Sequence, residues 1–440
     1  MHGGGVMRTG AALLQAAGLL SLLSAAVAAS AASARHRPPH IVLIVADDLG
    51  FDDASLRGSD QIPTPNLDAL AATGVPLSRY YVHQLCTPSR AALLTGRLPV
   101  HTGLQTDVIY GAEPYGLALD EALLPQYLER RGYRCHAVGK WHLGFYREAY
   151  TPTRRGFRSH FGYWTGHIDY YDHTAHEGAL WGLDLRRGLQ LVGGAFGQYT
   201  TELFTTEAER LIGAHNASRP LFLYLAHHAV HAGNAYAPLQ APAAARARFP
   251  WITDERRRAF AGMVSELDAS VGRVVSALAA AGLLNDTLLV FTTDNGGAVG
   301  GVDASAASNW PLRGGKYTLW EGGVRGTGLV WSPRLPRRSR PLSRAVHVTD
   351  WLPTLYEAAG GRAADLRRLD GVSQWAALSA DPCEFTDLSP AQPQLRARLL
   401  ALLERYRRSM VPSRKKPADP RADPRLWGYS WVPWADMTPT

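Results

Sequence analysis

Cysteine is scarce in this chain, which has only three among its 440 residues: Cys86, Cys135 and Cys383. So few cysteines exclude a fold that depends on a framework of disulfide bonds. Beyond residue 34 the sequence also lacks internal repeats and apolar runs long enough to cross a bilayer. The hydrophobic fraction of 46% is ordinary for a globular protein, so the length predicts one large domain with a smaller appendage.

The amino-terminal residues differ from the rest. An apolar run from Ala11 to Ala28 follows Arg8 and precedes small residues, which is the order typical of a signal peptide. A membrane anchor is the alternative, but the run is rich in alanine, marginal in length and followed at once by Arg35-His36-Arg37-Pro38-Pro39. We interpret residues 1–34 as a signal peptide cleaved within 28–34, and expect a lysosomal or secreted protein without stable membrane insertion.

Two sequons and the net charge agree with passage through the secretory pathway. Asn216-Ala217-Ser218 and Asn285-Asp286-Thr287 predict N-linked glycosylation at Asn216 and Asn285. The net charge of +8 attracts polyanions, and outside the cytoplasm we expect these to be sulfated glycans, not nucleic acid. The basic runs are short, and each is typical of a solvated face; they lie at 256–258, 337–340 and 414–416.

Four short apolar runs are followed by charged or imidazole side chains. They lie at 41–46, 133–138, 221–226 and 288–293, and their length and composition are typical of buried strands. Helical patterns lie between them, at 66–73, 120–131, 200–215 and 260–281. Strands that alternate with helices predict an α/β fold with a large, mixed and mostly parallel sheet flanked by helices.

Ligands bind at the carboxyl ends of the strands in such sheets. That rule brings together side chains that are distant in sequence: Asp47, Asp48, Lys140, His142, His231, Asp294 and Asn295. The two acidic pairs offer three carboxylates and an amide oxygen, which are hard ligands that favour calcium or magnesium over zinc. Either pair alone could be a turn or a helix cap. Together they favour a metal site.

The lysines and histidines can also be interpreted as residues without a role in a site. Lys140 and His142 could belong to an exposed turn, and His231 could be a structural histidine. His227 and His228 are interpreted as structural. Lys316 lies in a glycine-rich loop and would on its own be a surface lysine.

The segment around Cys86 is the most informative. Thr87 is predicted as the N-cap of a helix, Pro88 as its first residue and Gly96 as its end. Position 86 then lies at a helix N-terminus, which favours an anion, and Arg90 adds a cation in the first turn. The alternatives are a buried structural cysteine and a thiolate nucleophile.

Cys86-Thr87-Pro88-Ser89-Arg90 resembles the signature of the sulfatase family, whose cysteine is oxidised to formylglycine, and 94–97 matches its second part. Five further blocks occur in the family's order, at 46–50, 139–144, 294–297, 310–314 and 320–325. Together they cover the chain from about residue 40 to about 378, with further similarity near the C-terminus. The phrases at 101–105, 141–146 and 152–157 are similar to the arylsulfatase B, I and J branch, in which arylsulfatase B is the N-acetylgalactosamine-4-sulfatase.

The resemblance implies a fold, a cofactor set and residue roles. The fold is alkaline-phosphatase-like, with a catalytic domain over 38–362 and a small, truncated α+β domain over 363–440. One Ca²⁺ per chain and a formylglycine, made from Cys86 by the formylglycine-generating enzyme, are the implied cofactors. The implied calcium ligands are Asp47, Asp48, Asp294, Asn295 and the modified Cys86. Arg90 would hold the formylglycine, Lys140 and Lys316 would bind the sulfate, and His142 and His231 would transfer protons.

The implied substrate is a sulfated glycosaminoglycan or oligosaccharide, with the 4-sulfate of N-acetylgalactosamine in dermatan or chondroitin sulfate as the expected group. The hydrated formylglycine would attack sulfur while His231, together with Lys316, helps the alcohol to leave. Its second hydroxyl would then lose a proton to His142 and release the sulfate.

The chain departs from the family in three places. The cysteines that relatives place around 107–119 and after 171 are absent, and His167 stands where relatives often have Ser or Asn. Asp370-Gly371 also passes almost directly into Ala380, so the C-terminal region is shorter than expected.

This shortening keeps open a catalytically impaired isoform or a non-catalytic glycan-binding protein, and a phosphomonoesterase or phosphodiesterase of the same superfamily is a further alternative. The sequence does not decide whether Cys135 and Cys383 pair.

Overall fold

The computed structural model describes residues 37–335, 341–379 and 404–437. The predicted signal peptide, the basic run at 337–340 and Cys383 lie outside these residues. In the described part of the chain, no helix is long and apolar enough to cross a membrane.

The described strands are short and are spread over the whole chain. In chain order they are β1 His40–Ala46, β2 Val75–Tyr81, β3 Arg134–Lys140, β4 Ser159–Tyr163, β5 Thr174–Glu177, β6 Leu180–Leu183, β7 Arg186–Arg187, β8 Gln190–Leu191, β9 Leu221–Ala226, β10 Thr287–Thr293, β11 Gly328–Trp331 and β12 Leu342–His347. Ten of them form one sheet in the order β12-β2-β11-β10-β1-β9-β3-β4-β7-β8, and β5 pairs with β6 in a separate ribbon.

The centre of the sheet is parallel. Strands β10, β1, β9, β3 and β4 all run in one direction. Antiparallel pairings lie outside them, between β10, β11 and β2 on one side and between β4, β7 and β8 on the other. The large, mixed and mostly parallel sheet predicted from the sequence is therefore confirmed.

The central strands are buried along their whole length. Every residue of β1, β9 and β10 is buried, so these strands read as continuous apolar runs without the alternation of a half-exposed strand. Their side chains belong to one core cluster that also includes residues of the surrounding helices. This cluster fixes the positions of the strand ends that carry the polar residues.

Helices flank the sheet. The described helices are α1 Pro65–Thr73, α2 Cys86–Thr95, α3 Pro99–Thr102, α4 Leu124–Arg130, α5 Thr200–Gly213, α6 Ala243–Arg246, α7 Glu255–Ala280, α8 Glu321–Val324, α9 Trp351–Ala358 and α10 Trp375–Ser379. The four predicted helices are present, with shifted ends. Helix α4 begins later than predicted, with Pro125 in its first turn, and α7 begins earlier because Asp254 accepts a hydrogen bond from the Arg257 N–H at 2.7 Å.

The last described residues pack onto the large sheet-containing part of the molecule. In 363–379 and 404–437 they form short helices and one isolated β-bridge, between Leu183 and Ser430. Trp431 is fully buried, and its backbone oxygen accepts a hydrogen bond from the buried Arg186. A Cβ added at Gly111 would lie 2.7 Å from the Trp431 ring, so the absence of a side chain there allows the indole to approach.

Trp431 provides a test of this attachment. Its side chain is 0% exposed and its Nε1–H donates to the Ala175 oxygen at 3.3 Å. We expect Trp431→Ala to lower the free energy of unfolding by about 3–5 kcal/mol, because a large cavity remains. The matched control is Phe196→Ala, at a ring that is 77% exposed, which should cost less than about 0.5 kcal/mol. Denaturant unfolding measures both, and wild-type stability of Trp431→Ala would contradict the described packing.

A buried histidine predicts how the fold responds to acid. His160 in β4 donates from Nε2 to the Gly139 oxygen at 3.0 Å, and burial lowers the pKa of His160 to about 4. Below pH 6.5 the unfolded chain therefore binds a proton that the folded chain does not, so this contribution to stability is present at neutral pH and is lost as the pH falls toward 4.

The free energy of unfolding of the wild type should decrease between pH 8 and pH 5. We expect this decrease to be about 2 kcal/mol smaller in His160→Gln, because glutamine binds no proton in the unfolded chain. Urea unfolding at both pH values measures the difference, with the partly exposed His176→Gln as control. An equal effect of the two substitutions would disprove the role of burial at His160.

Candidate active site

The carboxyl ends of four parallel strands meet at one buried cluster. Asp47 and Asp48 follow β1, Lys140 ends β3, Asp294 and Asn295 follow β10, and His231 lies five residues beyond β9. The predicted catalytic and metal-binding residues, including Lys316 on its loop, are between 0 and 8% exposed. The structure therefore brings together the residues that the sequence predicted to be neighbours.

Cys86 occupies the first turn of α2, as predicted, but the start of the helix differs from the prediction. The helix begins at Cys86 after the extended Leu85, so Thr87 is not its N-cap. The Thr87 hydroxyl instead donates to the backbone oxygen of His142 at 3.0 Å, which links α2 to the end of β3. Gly96 ends the helix in a left-handed conformation, as predicted.

Asp47 is the centre of the cluster. The Cys86 thiol donates to Asp47 Oδ1 at 3.6 Å. Asp47 Oδ2 accepts from Lys140 Nζ at 2.5 Å and lies 3.3 Å from Arg90 Nη2. Burial alone would raise the pKa of Asp47, but the positive charges of Lys140 and Arg90 hold that pKa well below its usual value.

Asp48 forms a second set of contacts with Lys316 and His231. Lys316 Nζ donates to Asp48 Oδ2 at 2.9 Å and to His231 Nε2 at 3.0 Å. His231 Nδ1 lies 2.6 Å from the Ala232 oxygen, so Nδ1 carries the proton and Nε2 is left as the acceptor. The pKa of His231 is lowered by burial and by the charge of Lys316. Burial opposes a charge on Lys316, but Asp48 raises its pKa well above the usual value.

Asp294 and Asn295 complete the oxygen set. Arg90 donates to Asp294 Oδ2 from Nε at 3.0 Å and from Nη2 at 2.7 Å. Asn295 donates from Nδ2 to Asp48 Oδ1 at 2.7 Å, while its buried Oδ1 has no hydrogen-bond partner among the described residues. A buried amide oxygen without a donor, beside three carboxylates, fits a hard divalent cation.

His142 has one ring nitrogen occupied and one free. Its Nε2 donates to the Ile109 oxygen at 3.1 Å, and its buried Nδ1 has no partner in the part of the chain described. The pKa of His142 is held well below the usual value by burial and by the charge of Lys140. A neutral imidazole with an unpaired Nδ1 can accept a proton there.

The thiol itself is not activated. Burial and the neighbouring Asp47 charge raise the pKa of Cys86 well above its usual value. This result argues against the thiolate alternative, because nucleophilic cysteines have a lowered pKa.

Sequence reasoning missed three contributions to the site. Asp303 pairs with Lys316 Nζ at 2.8 Å, and no motif marked it. His231, predicted for proton transfer, also lies 3.6 Å from Asp48 Oδ2 and belongs with Asp47, Asp48 and Cys86 to a group that could hold a metal ion. The ring of His167 stacks on that of His231 with 5.7 Å between centroids, a contact that the sequence alone could not show.

The remaining predicted residues do not belong to the hydrogen-bonded cluster. Asn216 and Asn285 are exposed, so their glycosylation stays a prediction. Cys135 is a buried free thiol. His227 and His228 are fully buried. His227 contacts Ser270 at 3.0 Å, and the ring of His228 stacks on those of Tyr170 and His231, so His228 borders the site.

Comparisons with known proteins agree with this geometry. The family model described as Sulfatase matches residues 39–361. The chain is 35% identical to arylsulfatase J of Mus musculus, over 90% of this chain and 80% of that protein. It is 33% identical to N-acetylgalactosamine-6-sulfatase of Mus musculus, over 76% of this chain and 65% of the relative. The crystal structure of Ps i-CgsB is similar, with a TM-score of 0.70 and 34% identity, over 78% of this chain and 76% of that chain; it has also been solved in complex with k-i-k-neocarrahexaose.

The oxygen cluster predicts that Ca²⁺ stabilises the fold. At 100 times its Kd, Ca²⁺ bound to the folded chain should add about 2.7 kcal/mol to the free energy of unfolding, and thermal unfolding should show a higher midpoint. Asp294→Asn should remove most of this rise. Asp268→Asn is the control and should keep it, because Asp268 accepts from the Leu67 N–H at 2.9 Å, outside the cluster. If the midpoint of thermal unfolding of the wild type were the same with and without Ca²⁺, the metal interpretation would be ruled out.

Proposed function

The chain belongs to the sulfatase family, and from this premise we propose that it hydrolyses sulfate esters of glycans at the site around Cys86. The observation that carries the proposal is one buried cluster in which hydrogen bonds and ion pairs link Cys86, three carboxylates and three cations. The three carboxylates balance the three cations, so a divalent cation held by the carboxylates would supply the net positive charge for an anionic substrate, in a place from which water is largely excluded.

The proposed substrate is a sulfated oligosaccharide or glycosaminoglycan that contains N-acetylgalactosamine. One relative is named as an N-acetylgalactosamine-6-sulfatase, and Ps i-CgsB has been solved with a bound oligosaccharide, which supports a glycan substrate. We retain the 4-sulfate of dermatan or chondroitin sulfate as the specific proposal. His167, stacked on His231, is the residue of this chain that we expect to contact the sugar beside the sulfate.

The nucleophile is proposed to be made from Cys86. Conversion of the thiol to formylglycine by the formylglycine-generating enzyme would supply a hydrated aldehyde as the attacking group. Arg90 is fixed by Asp47 and Asp294, and its buried Nη1 has no partner among the described residues, so it can donate a further hydrogen bond to the modified side chain. Asp47, Asp48, Asp294 and Asn295 would hold one Ca²⁺, which supplies positive charge beside the nucleophile.

Lys140 and Lys316 are proposed to bind the sulfate. Both ammonium groups are buried, and each contacts a different carboxylate at the end of β1: Lys140 contacts Asp47 and Lys316 contacts Asp48. A lysine ammonium offers three donors, so Lys140 can bind a sulfate oxygen while it keeps its contact with Asp47. Lys316 already contacts Asp48, His231 and Asp303, and would exchange one of these partners for a sulfate oxygen. Two fixed cations would orient the sulfur toward position 86 and stabilise the charge that develops on the sulfate oxygens.

Two histidines are proposed to move protons at defined atoms. The Lys316–His231 pair shares a hydrogen bond at His231 Nε2, so a proton from this pair can pass to the alcohol oxygen as it leaves. His142 accepts a proton at Nδ1, since its Nε2 proton is held by the Ile109 oxygen. The two roles are separate because the backbone holds a different nitrogen in each ring. The Ala232 oxygen holds Nδ1 of His231, which leaves Nε2, whereas the Ile109 oxygen holds Nε2 of His142, which leaves Nδ1.

The domain boundaries and the cellular location also remain proposals. We propose a catalytic domain over 38–362, a shortened C-terminal region over 363–440 and passage through the secretory pathway to the lysosome or the exterior. The proposal of a shortened region rests on the sequence, in which Asp370-Gly371 passes almost directly into Ala380.

The reaction gives a direct prediction. Cys86→Ser should lower the hydrolysis of 4-methylumbelliferyl sulfate by about 10⁴-fold or more, because the second hydroxyl of the hydrated aldehyde is missing. Cys135→Ser is the matched control, at the second of the two buried free thiols in the described part of the chain, and should keep wild-type turnover.

Mass spectrometry of the wild type should show the peptide of Cys86 with sulfur replaced by oxygen and two hydrogens lost, and the peptide of Cys135 unchanged. An unmodified thiol at 86 in active protein would refute the proposed nucleophile. Faster turnover of an aryl phosphate than of the aryl sulfate would favour the phosphoesterase alternative.

A further inference from the structure

Residues 405–416, named here the basic strap, run along the loop that follows the helix of Cys86. Backbone bonds join Val411 N–H to the Val100 oxygen and Arg414 N–H to the Gly103 oxygen, both at 2.9 Å. Ser409 Oγ lies 2.7 Å from His101 Nε2. The strap is therefore held against residues 100–106 by main-chain and side-chain contacts.

One cation anchors the strap by ion pairs. Lys415 Nζ lies 2.9 Å from Glu113 Oε1 and 3.2 Å from Asp107 Oδ2, and it also lies over the Tyr110 ring. Nζ donates as well to the Val108 oxygen at 3.4 Å. Lys415 therefore occupies the carboxylates of Glu113 and Asp107, and in the described chain these carboxylates form no ion pair with the other cations of the strap.

Three cations of the strap are exposed and make no ion pair in the described residues: Arg405, Arg414 and Lys416. Glu404, the neighbouring acid, is paired with Arg407 and Arg408. Exposed arginine and lysine side chains without acidic partners attract anions, and several such cations on one segment favour a polyanion over a single small ion.

The strap lies close to the candidate active site. The side chain of Val108, whose backbone oxygen Lys415 contacts, packs with Leu85 and Cys86 in one buried cluster. The next residue, Ile109, supplies the oxygen that fixes the ring of His142. One layer of residues, 107–109, therefore separates the strap from the proposed nucleophile.

We propose that the basic strap is a docking surface for the sulfated glycan chain beyond the sugar whose sulfate is removed. This inference rests on the proposed function, and it adds a second contact region for a substrate several sugars long. Sulfate groups further along the chain would bind Arg405, Arg414 and Lys416 while one sulfate occupies the cluster at Cys86. Binding at both places raises the affinity for a long chain without adding anything for a small aryl sulfate.

The test is a triple variant, Arg405→Ser, Arg414→Ser and Lys416→Ser, assayed with dermatan sulfate oligosaccharides of increasing length and with 4-methylumbelliferyl sulfate. The ratio of kcat/KM for the long oligosaccharide to kcat/KM for the aryl sulfate should fall about tenfold, mainly through KM. Added salt should reduce the wild-type ratio more than that of the variant.

The matched control removes three positive charges near the amino ends of the central strands, opposite to the carboxyl ends at which the candidate active site lies. Its substitutions are Arg130→Ser, Arg131→Ser and Arg219→Ser. These exposed residues precede β3 and β9 and should leave the ratio unchanged. An unchanged ratio in the strap variant would overturn the proposal, and so would an equal loss on both substrates, which would mean that the strap only maintains the fold.

Retention on immobilised dermatan sulfate separates this proposal from the proposed function. The strap variant should elute at lower salt than both the wild type and the control variant. Elution of all three at the same salt concentration would overturn the docking surface even if the protein is an active sulfatase. Absence of any sulfate ester hydrolysis by the wild type would instead refute the proposed function, while the elution experiment still decides the role of the strap.

Discussion

Pairing of buried opposite charges is the interaction on which this site depends. Asp47, Asp48 and Asp294 have lost their contact with water, and a carboxylate in that position is stable only with a cation beside it. Arg90 joins Asp47 to Asp294, and therefore joins β1, β10 and α2. Removal of one partner from such a pair costs about 3–5 kcal/mol, so the chemistry and the fold share the same contacts.

The same pairing defines how substrate and cation would share the site. Lys140 and Lys316 contact Asp47 and Asp48, which are also the carboxylates expected to hold a divalent cation. A cation that takes over part of the carboxylate charge would leave the lysines more available to an incoming sulfate. Binding of the divalent cation would then favour binding of the sulfate, and the reverse. The divalent cation compensates the carboxylates, and the sulfate compensates the lysines that the carboxylates no longer fully balance.

Much of this arrangement could be predicted from the sequence, because strands buried on both faces read as apolar runs and their carboxyl ends share one edge. The position of Cys86 at the start of a helix followed from Pro88 and Gly96, although the first turn begins two residues before Pro88. Contacts between loops could not be predicted. Asp303 beside Lys316, and the strap beside 107–109, depend on packing that no local pattern records.

The near-complete burial of Cys86 has a consequence for biosynthesis. The Cys86 side chain is 1% exposed in the folded chain, where another enzyme cannot reach it, so the proposed oxidation of the thiol would have to precede folding. Lys415, which contacts the oxygen of Val108 beside Cys86, lies 307 residues beyond Val108 in the chain. At usual rates of synthesis this interval lasts on the order of tens of seconds. Translation itself would thus provide a time window in which the nascent chain is still open to maturation.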